Sequence, residues 1–318
     1  MPSRPRLLVL RALGLGDLLA GVPALRALRR AHPGHTLHLA APAALAEAVR
    51  ATGAVDVLLP AAAPARGVPD LGHWPGDPPE LAVDLHGNGP ESHRALAALH
   101  PGRLWSFAHP SPPPGHPRWR ADEHERERWC RFLRGHGIPA DPLDLRLPPP
   151  QTPSPRPGAI LVHPGADAAA RRWPADRYAA VAARLRAEGH RVVLTGGPGE
   201  EPLLAGIASA AGLPAADLYA GGLPFGELSA LVAGAALLLS GDTGLAHLAV
   251  AHGTPSVTLC GPVAPSLWGP PPGPRHTALW HPGPPGDPHG TTPDPLLLRL
   301  SVAEVLDAVQ GKVAAGAH

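Results

Sequence analysis

"LLLSGDTGLAHLAVAHGTPSVTLCGP", residues 237–262, decides the fold. An apolar run closes on a polar turn, a small-residue helical stretch follows, and after Gly253-Thr254-Pro255 a second apolar run, "SVTLC", ends in another turn. Strand, helix and strand in that order form a βαβ unit, and such units build parallel sheets. A bare scaffold needs only a tight turn after the first strand. Asp242, Thr243 and His247 are more polar groups than folding requires, so the function is sought there first.

The same rhythm runs outward in both directions. Toward the N-terminus come "RLLVL" (6–10), "TLHLA" (36–40), "VDVLL" (55–59), "LAVDL" (81–85) and "RLWSF" (103–107); nearer the opening stretch lie "AILVH" (159–163) and "RVVLTGG" (191–197). Apolar runs without alternation suit strands buried on both faces. Helical patterns lie between them, at 121–138, 176–188 and 224–233 among others, and in "DLLAGVPALRALRRAHPG" Leu18, Val22 and Leu25 recur at helical spacing. Pro23 interrupts that last helix, which either kinks there or restarts with Pro23 as its first residue. The expected fold class is α/β, with two Rossmann-like halves.

A chain of 318 residues suits two domains. The proline-rich segment 148–158 is the expected boundary. Residues 1–150 then form the N-terminal domain, 158–300 the C-terminal one, and 301–318 a terminal helix, in which Ser301 and Glu304 have capping-box spacing and which is free to pack back on the N-terminal domain.

Composition narrows the partners. The chain carries 44% hydrophobic and 17% charged residues, 45 prolines and a net charge of +1, and Lys312 is its only lysine. Without a basic run there is no groove for nucleic acid, so a small molecule is the expected partner. No apolar run is long enough for a signal peptide or an integral membrane segment, which predicts a cytoplasmic protein with at most peripheral membrane contact. Cys130 and Cys260 lie far apart and form no metal-ligand spacing, so they read as buried small apolar residues.

Open parallel sheets bind ligands at the carboxyl ends of their strands, and four such loops carry unusual residues. In "RALGLGD" (11–17) the third glycine of a dinucleotide fingerprint is absent, and Asp17 reads either as a helix N-cap or as a general base. In "HPGADAAARRWP" (163–174) Arg171 and Arg172 are either a solvated pair or forks for phosphate oxygens. In "TGGPGEE" (195–201) Glu200 or Glu201 serves a ribose or merely complements a helix dipole. In the opening stretch a helix starting at Asp242 or Thr243 aims free N–H groups at an anion, while His247 is a sugar contact or a satisfied core histidine. A single metal ion on Asp242, His247 and His252 fits poorly, because His252 stands about 140° around a helix from His247.

These residues resemble a known family. "GLGDLLAGVPALRALRRAHP", "AVDLHGN", "HPGADAAARRWPADRYAAVAARL", "GDTGLAHLAVAHGTPSVTLCGP", "SLWGP" and "LSVAEVLDAV" resemble, in order, the heptosyltransferases of glycosyltransferase family 9. The Asp-Thr-Gly-x-x-His block with Gly-Thr-Pro after it is the most specific part. The resemblance implies a GT-B fold, two Rossmann-like domains facing across a cleft, and inverting transfer of a heptose from an ADP-sugar such as ADP-L-glycero-β-D-manno-heptose to an acceptor hydroxyl. It implies Asp17 as catalytic base and Arg171, Glu200, Asp242, Thr243, Gly244 and His247 as donor contacts, with Arg171 standing where the family usually has Lys. No cofactor and no metal are implied. His86, Asn88 and Ser92 in "DLHGNGPES" are acceptor candidates, with ordinary turn chemistry as the plainer account. The acceptor is a glycan, a lipid-linked sugar or a small metabolite; a nucleotide-sugar epimerase and a non-catalytic nucleotide-sugar binder are the competing functions.

Overall fold

The structure is a computed structural model and describes residues 4–64, 67–107 and 117–316. The chain forms two compact units, Met1–Leu145 and Arg146–His318. The first contains β1 (Arg6–Leu10), α1 (Leu15–Ala31), β2 (Thr36–Ala41), α2 (Ala46–Ala51), β3 (Val57–Pro60), β4 (Leu81–Asp84), α3 (Pro90–Ala97), β5 (Arg103–Trp105) and α4 (Glu125–Gly135). Its strands pair in parallel in the order β3-β2-β1-β4-β5. Leu7, Leu8, Val9 and Leu10 of the central strand are fully buried, which explains why that run shows no alternation.

α1 runs unbroken through Pro23 and does not restart there. A proline inside a helix costs about 3 kcal/mol. Leu18, Leu19, Val22, Leu25 and Leu28 are all buried on this helix, and at roughly 1.5–3 kcal/mol each they outweigh the missing hydrogen bond.

The second unit contains β6 (Ile160–His163), α5 (Ala175–Ala187), β7 (Val192–Thr195), α6 (Glu201–Ala211), β8 (Leu218–Tyr219), α7 (Phe225–Ala233), β9 (Leu237–Gly241), α8 (Gly244–His252), β10 (Ser256–Leu259), α9 (Pro265–Trp268), β11 (His276–Leu279), α10 (Pro295–Leu298) and α11 (Val302–Gly316). Its parallel order is β11-β10-β9-β6-β7-β8. Each sheet therefore reverses direction once, between β1 and β4 in the first and between β6 and β9 in the second. Such switch points open a crevice for ligands above the carboxyl ends of the two flanking strands.

The chain enters the second unit a little before the proline-rich segment, because the Leu147 amide already donates to the Ala251 carbonyl at 3.0 Å. The two edge strands β8 and β11 are not foreseen by the sequence: they are short, half-buried and lack a sustained apolar run. In α11 the Ser301 hydroxyl accepts the Glu304 amide at 3.2 Å, as the capping spacing predicts. The apolar face of this helix, Val305 and Val309, belongs to the second unit's core beside Ile160, Tyr178 and Leu237.

Candidate functional site

The donor-type residues gather at the second switch point. α8 starts at Gly244 with Thr243 as its cap residue, yet the Thr243 hydroxyl does not cap the helix and is buried with no partner. The first N–H groups of any helix lack an intrahelical acceptor, so an amide row, the positive dipole end and a spare hydroxyl meet at one point. Gly241 ends β9 because a Cβ there would lie 2.9 Å from the Arg171 carbonyl oxygen. That close approach brings the turn after β6 onto the start of α8. Arg171 Nη1 donates to the Asp242 carbonyl at 3.2 Å, its Nη2 lies 3.9 Å from the exposed Asp167 carboxylate, and its Nε is buried without an acceptor. A guanidinium with spare N–H groups beside a helix N-terminus is chemistry for a phosphate or other oxyanion.

Asp242 and His247 form a pair, Oδ1 to Nε2 at 3.9 Å, and the Trp268 ring meets His247 edge-on at 5.9 Å. Hydroxyl-rich ligands are bound by such mixtures of acceptor and donor. Glu200 stands just before α6, where its Oε2 accepts the Gly197 amide at 2.8 Å. Its carboxylate lies directly against Gly165, where an added Cβ would come within 2.0 Å of Oε2. Beneath, the His163 Nδ1 donates to the Thr195 carbonyl at 2.9 Å and joins the ends of β6 and β7; burial pushes its pKa down, which favours the neutral ring. His252 takes no part: its Nε2 is 2.7 Å from the Ser229 hydroxyl of α7, and burial, then the charge of Arg146, lower its pKa to about 4. Among the described residues, no three His, Cys, Asp or Glu side chains gather as metal ligands would.

At the first switch point Asp17 is not the N-cap. Gly14 occupies that position, and Asp17, three residues on, accepts the Gly14 amide at 3.2 Å through Oδ2. The reason is local: the glycine turn starts the helix three residues earlier than an Asp17 cap would. Arg11, passed over by the sequence analysis, runs beneath this turn with its side chain 0% exposed. Its Nε donates to the Asp17 carbonyl at 2.6 Å, its Nη1 to the Leu85 carbonyl and its Nη2 to Glu125 Oε1 of α4 at 2.9 Å. Glu125 also accepts from Trp129 Nε1 at 2.6 Å and pairs with Arg128.

Asp84, also passed over, is fully buried at the end of β4 opposite Leu10 of β1. Its Oδ1 accepts the His86 amide at 2.9 Å and its Oδ2 lies 3.5 Å from His93 Nε2. Burial lifts its pKa to about 6, against the pull of hydrogen bonds from Ser92 and the His86 and Gly87 amides and of the Arg11 charge. His86 accepts the Ala12 amide on Nδ1 at 3.3 Å, so it lies beside the Asp17 loop, and Asn88 is half-buried in the same turn. Ser92 is 1% exposed at the start of α3, with its hydroxyl 3.1 Å from the Gly89 carbonyl. A charge inside an apolar strand run, such as Arg11 after "RLLVL" or Asp84 in "LAVDL", is the sequence signal that would have found these buried groups.

Two parallel-sheet α/β units are the architecture of the GT-B class of glycosyltransferase folds. The glycosyltransferase family 9 (heptosyltransferase) profile matches residues 118–288, and the chain belongs to that family. It is 34% identical over 113 residues to lipopolysaccharide heptosyltransferase 3 of Escherichia coli, a match covering 35% of this chain and 33% of that protein, so only about a third of the curated relative's length is spanned. Among solved structures it resembles E. coli ADP-heptose LPS heptosyltransferase II, with a TM-score of 0.77 and 19% identity over 98% of this chain and 100% of the other. E. coli heptosyltransferase WaaC with ADP gives a TM-score of 0.70 and 19% identity, covering 96% of this chain and 99% of the other. These structural likenesses establish the fold.

Proposed function

We propose that the protein is an inverting glycosyltransferase that moves a heptose or related sugar from an ADP-sugar donor to an acceptor hydroxyl, independently of metal, with Asp17 as general base. The observation that carries this reading is the meeting of Arg171, the start of α8 and the unpartnered Thr243 hydroxyl at the second switch point. There the donor diphosphate would receive N–H groups from Arg171 and from Gly244 and its neighbours, while Asp242 and His247 hold sugar hydroxyls and Glu200 the nucleoside. As the C1–O bond breaks through an oxocarbenium-like state, negative charge grows on the departing ADP. Each charge-assisted hydrogen bond to that oxyanion is worth roughly 1.5–3 kcal/mol. Asp17 would take the proton of the attacking hydroxyl, with His86 and Asn88 beside it as acceptor contacts. The acceptor is a glycan, a lipid-linked sugar or a small metabolite. Work in the cytoplasm agrees with there being, among the described residues, no helix long and apolar enough to cross a membrane.

ADP release from ADP-L-glycero-β-D-manno-heptose, followed with a panel of heptose-free lipopolysaccharide, lipid-linked and soluble glycans in the presence of EDTA, tests the reading. Acceptor-dependent release that survives EDTA supports it. Preference for UDP- over ADP-sugars, or donor turnover to an isomer without any acceptor, would point to an epimerase, and tight donor binding with no transfer to a non-catalytic binder.

A further inference from the structure

Arg11 is the largest buried charge that the proposed chemistry leaves unused. It is fully buried, and Gly21 on α1 makes the room: a Cβ there would lie 2.9 Å from Arg11 Nε. Four groups from three parts of the unit converge on the guanidinium. They are the Asp17 carbonyl at 2.6 Å, the Leu85 carbonyl at the end of β4, the Glu125 carboxylate at 2.9 Å, and the Trp129 ring, over which Arg11 Cζ lies 5.3 Å from the centroid. The Asp17 carboxylate is held from the other side, by the Gly14 amide on Oδ2, while its Oδ1 lies 4.0 Å from Arg11 Nη2.

Burying an arginine and a glutamate for stability alone is poor economy, since an apolar pair of the same volume is often as stable. What the ion pair supplies that an apolar pair cannot is direction: a planar fork fixes the backbone of Asp17, and hence the carboxylate, relative to β1, β4 and α4.

We infer that Arg11, held by Glu125, is a positioning residue that fixes the Asp17 carboxylate in its working orientation. The inference rests on the reading of Asp17 as the base. Arg11 touches no substrate in this role. Glu125 neutralises it and sets its plane, and the Trp129 indole N–H holds Glu125 in turn.

The test compares Arg11→Met with the paired Arg11→Met/Glu125→Gln in the full chain. The single change takes one of two cations from Glu125, which keeps Arg128, and lowers stability; the pair removes both charges, keeps an acceptor for Trp129, leaves Arg128 on the Arg120 and Glu123 carbonyls, and brings the melting temperature back toward wild type. The expected result is that the paired variant, although refolded to near wild-type stability, exchanges the Gly14 amide hydrogen at least tenfold faster and turns over tenfold to a hundredfold more slowly at unchanged donor KM. Adding both changes to Asp17→Ala lowers turnover no further. Gly14 exchange and turnover both at wild-type values in the stable paired variant would overturn the inference. If Asp17→Ala itself retains full turnover, the base assignment fails instead, and the exchange of the Gly14 amide still reports on the positioning. Should the paired variant not fold, Arg11→Lys gives the same readouts with the charge kept: faster exchange and slower turnover support the fork, wild-type values oppose it.

Discussion

The two switch points use polar residues in opposite ways. At the first, between β1 and β4, charged side chains are turned inward and bound to each other or to backbone: Arg11 to Glu125 and the Asp17 carbonyl, Asp84 to the His86 amide. At the second, between β6 and β9, groups are left wanting partners, namely the Thr243 hydroxyl and the Arg171 Nε. Buried polar atoms without partners cost about 1–3 kcal/mol each, so folding alone does not keep them. On the proposed reading, the first site holds one carboxylate in a chosen orientation and the second is completed by an anion.

The sharpest way to break this contrast is Asp17→Asn. Loss of a positioned base is expected to lower turnover about 10²–10⁴-fold in the ADP-release assay while the melting temperature stays within a few degrees. Unchanged turnover would leave the first site with no catalytic part. For the second site, Arg171→Ala is expected to cost roughly 10²–10³-fold in turnover, because the leaving diphosphate loses its cation, and Arg171→Lys should recover most of it. An Arg171→Ala variant as active as wild type would remove the anion cradle from the mechanism.

Asp84 probes the inward-turned site through stability. Its folded pKa of about 6 lies above the ordinary 3.8, so the folded chain holds that proton more tightly than the unfolded one. Its contribution is complete below about pH 4 and is lost as pH rises through about 6, a slope worth about 3 kcal/mol in total. Urea unfolding from pH 4 to 8 should show Asp84→Asn flattening that part of the profile and gaining stability relative to wild type above pH 6. A profile that the substitution leaves unaltered would mean the carboxyl is not the group titrating. The smallest effect is expected at Gly165→Ala, whose new methyl must displace the Glu200 carboxylate, a flexible group, so stability changes little. Affinity for ADP measured by calorimetry should fall about tenfold, or 1.4 kcal/mol, with discrimination against UDP reduced. Undiminished ADP affinity would separate Glu200 from the nucleoside.

Much of the fold was readable. Buried parallel strands write themselves as apolar runs, and all nine runs quoted above lie in the two sheets, although β3 and β5 are partly exposed. The short edge strands β8 and β11 escaped because two to four half-buried residues carry no period. The continuous α1 escaped for a different reason: Pro23 is a local stop signal that the burial of five leucine and valine side chains overrides. At the second switch point, Arg171, Glu200, Asp242, Thr243 and His247 were legible as a set because each lies in the loop or first helical turn that follows a strand. The first was legible only in Asp17, His86 and Asn88.

Alone, the sequence determined the alternation of strands and helices, the strand ends at which polar residues collect, and the family motifs, all of which are encoded within a few residues of one another. Tertiary structure decided which of those loops meet. Only the crossing of strand order at β1/β4 and β6/β9 brings residues 11, 17 and 84 into one cluster and residues 171 and 242 into another. Only packing could show that Arg11 finds Glu125 more than a hundred residues away, since the charge pairing of a buried side chain depends on the path of the whole chain and not on its neighbours in sequence.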